Sequence, residues 1–208
     1  MVKRNKLLLS SAIAYLGFQQ NKKNERDDKN PEAFVEEVIN DLNKILSNKE
    51  LTKENKIKAL YVIAERSVDI DGIGRLTLGK HRKIISEEQK VKYQKLFRSY
   101  FLKGFSNTLV NYDQNQKKIK ITESIKKSNI YTMVSTIVEA TSKRPQIQID
   151  WRIYTKNPDR PLIRDLNVEN ISILLSYRED FSSIIKNNNG DIEALLSILE
   201  EFINKSDR

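Results

Sequence analysis

Residues 146–155 read QIQIDWRIYT, and this stretch decides the fold class. Apolar and polar side chains alternate along it without interruption. The apolar set is Ile147, Ile149, Trp151 and Ile153, and the polar set is Gln148, Asp150, Arg152 and Tyr154. Since successive side chains of a β-strand point to opposite faces, the pattern predicts a strand with one buried and one solvated face. Such a strand is typical of an antiparallel sheet that is covered on one side.

Three further stretches near this strand have β-type patterns. They are the alternation over residues 117–122, a β-rich run over residues 130–140 and another over residues 162–168. Turn-forming residues separate the runs, at residues 144–145 (RP) and residues 157–159 (NPD). Because short turns join antiparallel neighbours, the sequence predicts a meander of four strands.

Helical periodicity covers the rest of the chain. Helices are predicted to begin at or near Pro31, Thr52, Ile73, Glu87, Ile171 and Asp191. The clearest start follows Ser86, where SEEQ is a capping box, and that helix is predicted to run to about Tyr112. Helices on both sides of a run of strands are typical of an α+β domain. We therefore predict a single domain over residues 31–205, with helices packed around a four-to-five-stranded antiparallel sheet.

The first thirty residues differ in composition from the rest. Basic residues at positions 3, 4 and 6 precede an apolar run that ends at Phe18. This is the pattern of a signal peptide or N-terminal anchor over residues 1–20, and an amphipathic helix is the alternative. Residues 21–30 are polar throughout, which predicts a linker.

The composition excludes several kinds of site. The 208 residues include no cysteine and one histidine, so disulfides, thiol nucleophiles and cysteine-ligated metals are excluded. The chain has no phosphate-loop, dinucleotide-binding or nucleophile-elbow motif. His81 lies in the run KHRK (80–83), whose charges lower its proton affinity, and we expect a surface or helix-end histidine. Residues 69–72 (DIDG) lack the further acidic positions of a calcium loop and are expected to cap a helix.

The helix after Ser86 carries an aromatic stripe made of Tyr93, Phe97, Tyr100, Phe101, Phe105 and Tyr112. Gly104 lies within this stripe, where it is expected to permit the close approach of another element. The aromatic side chains either fill a core or form the wall of an apolar pocket, and the residues alone leave both alternatives open.

Several segments, in order, resemble the MlaC family of periplasmic phospholipid-binding proteins, also called toluene-tolerance proteins. Residues 78–82 (LGKHR), 86–89 (SEEQ) and 93–100 (YQKLFRSY) are similar to its Leu-Gly segment, capping segment and aromatic helix. Residues 149–153 (IDWRI) resemble its Val-Asp-Tyr-Arg-Leu strand, and residues 165–181 resemble its Asp-x-x-Val-Glu-Gly-Val-Ser and Tyr-Arg-x-x-Phe motifs. The resemblance covers residues 32–203. Asn170 replaces the usual glycine, although asparagine also adopts positive φ angles.

The resemblance implies an NTF2-like or MlaC-like fold that encloses an apolar cavity for a phospholipid cargo, with no cofactor. It implies a periplasmic carrier, not an enzyme, that moves phospholipid between the inner and outer membranes within an Mla-type system maintaining outer-membrane lipid asymmetry. Its implied partners are an inner-membrane MCE-domain protein of an ABC transporter and an outer-membrane lipoprotein complex, and the protein is expected to be a monomer. The residues expected to line the cavity are Phe97, Phe101, Phe105, Leu109, Trp151, Ile153, Val168 and Leu174. Basic side chains at its mouth are expected to attract phosphate without strict headgroup selection.

Two alternatives come from other functional classes. The first is a small NTF2-like enzyme that acts on a hydrophobic molecule, for which Asp150 and His81 are the available acid–base groups. The second is a nucleic-acid-binding protein, suggested by a net charge of +9 and by basic tracts at residues 117–120 and 126–127. We expect those tracts to lie on a solvated strand face and predict no nucleic-acid partner.

Overall fold

The structure is a computed structural model that describes residues 30–111, 119–140 and 145–205. The helices formed by these residues are α1 (Pro31–Ser47), α2 (Lys53–Ser67), α3 (Ile70–Thr77), α4 (Glu87–Val110), α5 (Ile173–Asn187) and α6 (Ile192–Asn204), with a 3-10 helix at Gly79–Lys83. The strands are β1 (Ile119–Ser128), β2 (Tyr131–Val138), β3 (Ile147–Tyr154), β4 (Leu162–Val168) and β5 (Ile171–Ser172). The signal peptide or anchor predicted over residues 1–20 lies outside the described residues, as does the linker except Asn30, which caps α1. Within the described part, no helix combines the length and apolar composition that a membrane crossing requires.

The strands form one sheet in the order β1-β2-β3-β4-β5, with every neighbouring pair antiparallel. This confirms the predicted α+β class and the meander. On the central strand, Trp151 lies opposite Val134 of β2 and Leu166 of β4. The apolar face predicted from residues 146–155 therefore continues across three strands.

The short strand β5 corrects one prediction, since a helix was expected to begin at Ile171. Ile171 pairs with Val168 of β4, and α5 begins two residues later with Ser172 as its N-cap. The connecting turn consists of Glu169 and Asn170, whose φ angles are 49° and 66°. Asn170 thus adopts the positive φ that was expected of it, and the turn closes a two-residue hairpin.

The apolar face of the sheet is covered by α1 and by Ile63 of α2, and together they form what we call the sheet core. The buried side chains of this core are Phe34, Val35, Val38, Ile39, Ile63, Val134, Trp151, Ile153 and Ile163. The indole N–H of Trp151 donates to the hydroxyl of Thr136 at 2.9 Å. This bond satisfies the only polar atom of a side chain that is otherwise packed in apolar surroundings.

A second group of buried side chains, which we call the helical core, lies among α2, α3, α4, α5 and α6. Its buried members are Ala64, Ile70, Ile73, Leu78, Tyr93, Phe97, Phe101, Leu102, Leu174, Phe181, Ile185, Ile192, Leu195, Leu196 and Leu199. The predicted capping box at Ser86 and Gln89 is present at the start of α4. From there α4 presents its aromatic side chains to the core, where Tyr93 and Phe97 stack with ring centroids 5.8 Å apart.

The glycine that permits a close approach to α4 is Gly74 of α3 and not Gly104. A Cβ atom added at Gly74 would lie 2.8 Å from Cδ1 of Phe97. At Gly104 an added Cβ would meet only the ring of Phe202, at an ordinary contact distance of 3.9 Å. The expectation for Gly104 was therefore wrong, because the neighbouring α6 leaves room there for a methyl group.

The two cores meet where α2 ends. Val68, which follows α2, is half-buried and packs against both cores. It forms an isolated parallel bridge with Ile163, and the next amide, that of Asp69, donates to the Ile163 carbonyl at 2.9 Å. The α2–α3 connection is thus fixed to β4 by its backbone.

Candidate functional site

Two cavities lie on opposite sides of Tyr131, the first residue of β2. The helical cavity, of about 450 Å³, is lined by Gly72, Arg75, Leu76, Leu78, Arg82, Lys83, Ile85, Lys90, Tyr93, Gln94, Tyr131 and Arg164. The sheet cavity, of about 460 Å³, is lined by Lys127, Ser128, Tyr131, Thr132, Met133, Arg152, Asp165, Asn167, Ser172, Leu174 and Leu175. Each volume falls within the roughly 300–1,000 Å³ typical of small-molecule sites. The ring of Tyr131 is their common wall.

Arg164 holds Tyr131 in this position. A register shift between β3 and β4 pairs Arg152 with Asp165 but Ile153 with Ile163, so Arg164 has no partner on β3. An extra residue of this kind forms a β-bulge, which changes the direction of its side chain. The guanidinium of Arg164 donates from Nη1 to the Tyr131 hydroxyl at 2.7 Å.

The same guanidinium forms an ion pair with Asp69. Its Nε donates to Oδ2 of Asp69 at 2.7 Å, and the two side chains are only 15% and 13% exposed. Asp69 also caps α3, because its Oδ1 accepts the amide of Gly72 at 2.9 Å. Burial alone would lower the pKa of Arg164, but its bonds to Tyr131 and Asp69 raise that pKa above its ordinary value. The predicted role of residues 69–72 as a helix cap is confirmed, and the ion pair is an addition to it.

Aromatic rings complete the partition between the cavities. The rings of Tyr131 and Tyr154 lie 5.4 Å apart between centroids. Cζ of Arg164 lies 3.4 Å from the Tyr154 centroid, and Cζ of Arg152 lies 4.3 Å from that of Tyr131. Contacts at these distances are cation–π interactions. Two arginines and two tyrosines thus form a connected set, anchored by Asp69.

The cavities differ in charge. Among the residues that the structure describes, five basic side chains and no acidic one line the helical cavity. The sheet cavity contains Asp165, whose carboxylate is occupied by nearby donors. Oδ1 accepts the amides of Leu166 at 2.9 Å and Leu174 at 3.0 Å, and Oδ2 accepts the Ser172 hydroxyl at 2.6 Å. Asp165 therefore fixes the start of α5 to β4.

The residues predicted to line an apolar cavity are divided between the two cores. Phe97, Phe101 and Leu174 belong to the helical core, against which half-buried Phe105 packs, and Trp151 and Ile153 belong to the sheet core. Leu109 and Val168 are half-buried. Leu174 lines the sheet cavity, and the other seven line neither cavity described above. Their contact with lipid stays a prediction.

Sequence reasoning missed Tyr131 and Arg164, which link the two cavities. The alternation along β2 provided a signal for Tyr131, because it shares the polar face with Met133 and not the face of Val134. Arg164 gave no comparable signal, since a bulge depends on how two strands pair. Arg82 and Lys83 lay in a basic run that was noted, but its position beside a cavity follows only from the fold.

The two groups considered for acid–base catalysis lie apart from the cavity linings. Asp150 is on the polar face of β3, and its Oδ1 accepts from the side-chain Nε2 of Gln148 at 3.1 Å. His81 is buried within the 3-10 helix, with Nε2 at 3.3 Å from the Ser182 hydroxyl, so of the two expected positions, surface or helix end, the surface position was wrong. Burial, followed by the charge of Lys80, lowers the pKa of His81. The described residues contain no cluster of acidic and histidine side chains suited to a metal ion.

Comparison with known proteins places this geometry in context. The family model described as MlaC protein matches residues 34–201. A solved structure of similar fold is the phospholipid-binding protein from Ralstonia solanacearum in complex with a phospholipid. It superposes with a TM-score of 0.66 at 16% sequence identity, over 82% of this chain and 95% of that one. Comparison with curated proteins returned no match. Since the family model spans most of the described fold, this chain belongs to the MlaC family.

Proposed function

We propose that this protein is a phospholipid carrier of the bacterial periplasm, and that its role is binding and not catalysis. The observation that carries the proposal is membership of the MlaC family over residues 34–201. The neighbouring fold from Ralstonia solanacearum, which was solved with a bound phospholipid, supports it. Within an Mla-type system the protein would exchange lipid with an inner-membrane MCE-domain protein and with an outer-membrane lipoprotein complex.

The physical problem for such a carrier is the hydration of acyl chains. Each methylene group exposed to water costs about 0.8 kcal/mol, so two chains with roughly thirty methylenes represent on the order of 20 kcal/mol. Spontaneous transfer across an aqueous gap is therefore slow. A protein that supplies apolar walls removes most of this cost and lets the lipid cross.

The helical cavity offers a route to the predicted apolar residues. Tyr93 lines this cavity and also belongs to the helical core, where it stacks on Phe97. Phe97 lies in turn 6.1 Å from Phe101 between ring centroids. Acyl chains that displace the Tyr93 ring would reach these aromatic side chains, which is how a filled core becomes a lipid-binding wall.

Tyr131 connects the two cavities in this proposal. It is the only residue that lines both of the cavities described. A rotation of its ring would join them into one volume. A two-chain lipid would then occupy space on both sides of Tyr131.

The test is lipid capture by the purified protein. The protein is incubated with phosphatidylglycerol and phosphatidylethanolamine vesicles, separated from them, and analysed by native mass spectrometry for bound lipid. We expect a one-to-one complex. Folded protein that neither copurifies with phospholipid nor takes any from the vesicles would overturn the proposal.

A pair of variants connects the result to the cavities. Met133→Trp places a large side chain in the lining of the sheet cavity, so we expect reduced capture of lipid. The control is Val62→Trp, since Val62 on α2 is exposed and lies outside both linings. Equal capture by Met133→Trp, Val62→Trp and wild type would exclude the sheet cavity as part of the site.

The transport role requires a separate measurement. Donor vesicles with a fluorescent phospholipid are mixed with acceptor vesicles, with and without the protein. We expect transfer to accelerate in proportion to protein concentration. A protein that binds lipid but leaves the transfer rate unchanged would keep the binding proposal and refute the carrier role.

A further inference from the structure

We propose that the helical cavity selects phospholipids whose headgroup carries a net negative charge, phosphatidylglycerol among them, over zwitterionic ones. This inference rests on the proposed function, because it concerns which phospholipid is bound. It differs from the expectation drawn from sequence, in which basic residues attract phosphate without regard to the rest of the headgroup.

The first argument is the number of uncommitted cations at the cavity. Arg75, Arg82 and Lys83 line it with exposed side chains, and none of them forms an ion pair with a described residue. The other two basic groups are engaged: Arg164 with Asp69, and Lys90 with Glu87 at 3.2 Å. A cleft lined by charges of one sign concentrates ions of the opposite sign.

The second argument is the supply of neutral donors. The Tyr131 hydroxyl oxygen accepts from Arg164, so its own proton remains available, and no acceptor for it is found among the described residues. The Gln94 side chain lines the same cavity and likewise has no hydrogen-bond partner in the described part of the chain. A phosphate diester is an acceptor only, and a donor-rich wall matches it.

The third argument distinguishes between headgroups that share the phosphate. A zwitterionic headgroup also carries an ammonium group, which needs a carboxylate or comparable acceptor once it leaves water. No carboxylate lines the helical cavity among the described residues. The ammonium would lie instead beside Arg82 and Lys83, where like charges repel. The glycerol hydroxyls of phosphatidylglycerol meet no such penalty.

A competition experiment tests this selection. Wild-type protein is incubated with vesicles that contain equal amounts of phosphatidylglycerol and phosphatidylethanolamine with identical acyl chains, at about 150 mM salt. Bound lipid is extracted and quantified by mass spectrometry. We expect bound phosphatidylglycerol to exceed bound phosphatidylethanolamine about fivefold or more, an enrichment that one effective charge contact near a lipid surface provides. A bound ratio equal to the vesicle ratio would overturn the proposal.

Charge reversal separates the cavity from the net charge of the protein. In Arg82→Glu/Lys83→Glu the enrichment should fall to about one or below. The control Lys49→Glu/Lys53→Glu makes the same change in net charge at two exposed residues outside the cavity lining, one before α2 and one at its first position, and it should keep the enrichment. Loss of enrichment in both variants would refute a role of the cavity. Arg75→Gln, a milder change at an exposed residue, should reduce the enrichment without altering the fold.

Two further comparisons show whether the cavity binds a lipid headgroup or free phosphate. They also distinguish a failure of this inference from a failure of the proposed function. Inorganic phosphate at millimolar concentration should compete weakly. If inorganic phosphate abolished the preference for phosphatidylglycerol completely, the cavity would be a site for free phosphate and the proposal would be overturned. Wild-type protein that binds both lipids without preference refutes this inference alone, whereas protein that binds neither refutes the proposed function.

Discussion

The buried ion pair between Asp69 and Arg164 gives a quantitative prediction. Removal of one member of a buried pair costs about 3–5 kcal/mol, largely because it leaves the other charge unpaired. Arg164 and Asp69 retain 15% and 13% exposure, so the lower end of that range applies. Asp69→Ala also removes the cap to Gly72, worth about 1 kcal/mol. We therefore expect Asp69→Ala to lower the free energy of unfolding by about 4 kcal/mol and Arg164→Met by about 3 kcal/mol.

The double variant provides the decisive comparison. Asp69→Ala/Arg164→Met contains no unpaired charge, so its loss should be smaller than the sum of the single losses by about 2 kcal/mol. Urea unfolding at pH 7, followed by circular dichroism, measures all four proteins. Strict additivity within about 0.5 kcal/mol would show that the two side chains do not interact. The reasoning about the partition around Tyr131 would then be wrong as well.

Three smaller perturbations test other features of the structure, all by urea unfolding. Gly104→Ala should stabilise the protein by about 0.5–1 kcal/mol, since a methyl group fits there, and Gly74→Ala should not, because its methyl group would press on Phe97. A destabilised Gly104→Ala variant would contradict the first half of this prediction. Ser86→Ala removes the capping box of α4 and should cost about 1 kcal/mol, and no loss would mean that the helix start is held by tertiary contacts alone. The lowered pKa of His81 means that the unfolded chain binds its proton first, so stability should fall as the pH drops below about 6.5, by at most about 1.4 kcal/mol per pH unit. His81→Phe should weaken the pH dependence below about pH 6.5, and an unchanged dependence would exclude this histidine as its source.

Much of the fold could be predicted from local patterns. The alternation over residues 146–155 and the capping box at Ser86 each depend on a few neighbouring residues, and both were correct. The strand β5 could not be predicted, because Ile171–Ser172 is a strand only through pairing with β4. Gly104 was misjudged for a similar reason: what a glycine faces depends on the element packed opposite.

The candidate site was less accessible than the fold. Phe97 and Phe101 were selected because large aromatic side chains on a helical face must be buried, and they are. Sequence does not say whether a buried face meets other side chains or a cavity. The cavities lie beside Tyr131 and Arg164, and the position of Arg164 follows from a bulge between two strands and not from composition.

The division of the interior into two cores has a mechanical consequence. The helical core and the sheet core are joined along the end of α2, where Ile63 belongs to the sheet core, Ala64 to the helical core and Val68 packs against both, with the polar contacts of Asp69, Arg164 and Tyr131 beside this junction. Displacement of the two cores as separate blocks would therefore disturb the contacts of this junction and leave most of the packing within each block intact. Swelling of a single continuous core would instead break apolar contacts throughout the molecule. Amide exchange should accordingly be faster at the junction than within either block. Binding of the cargo would then deform the protein at the boundary between the two cores and not in the interior of either one.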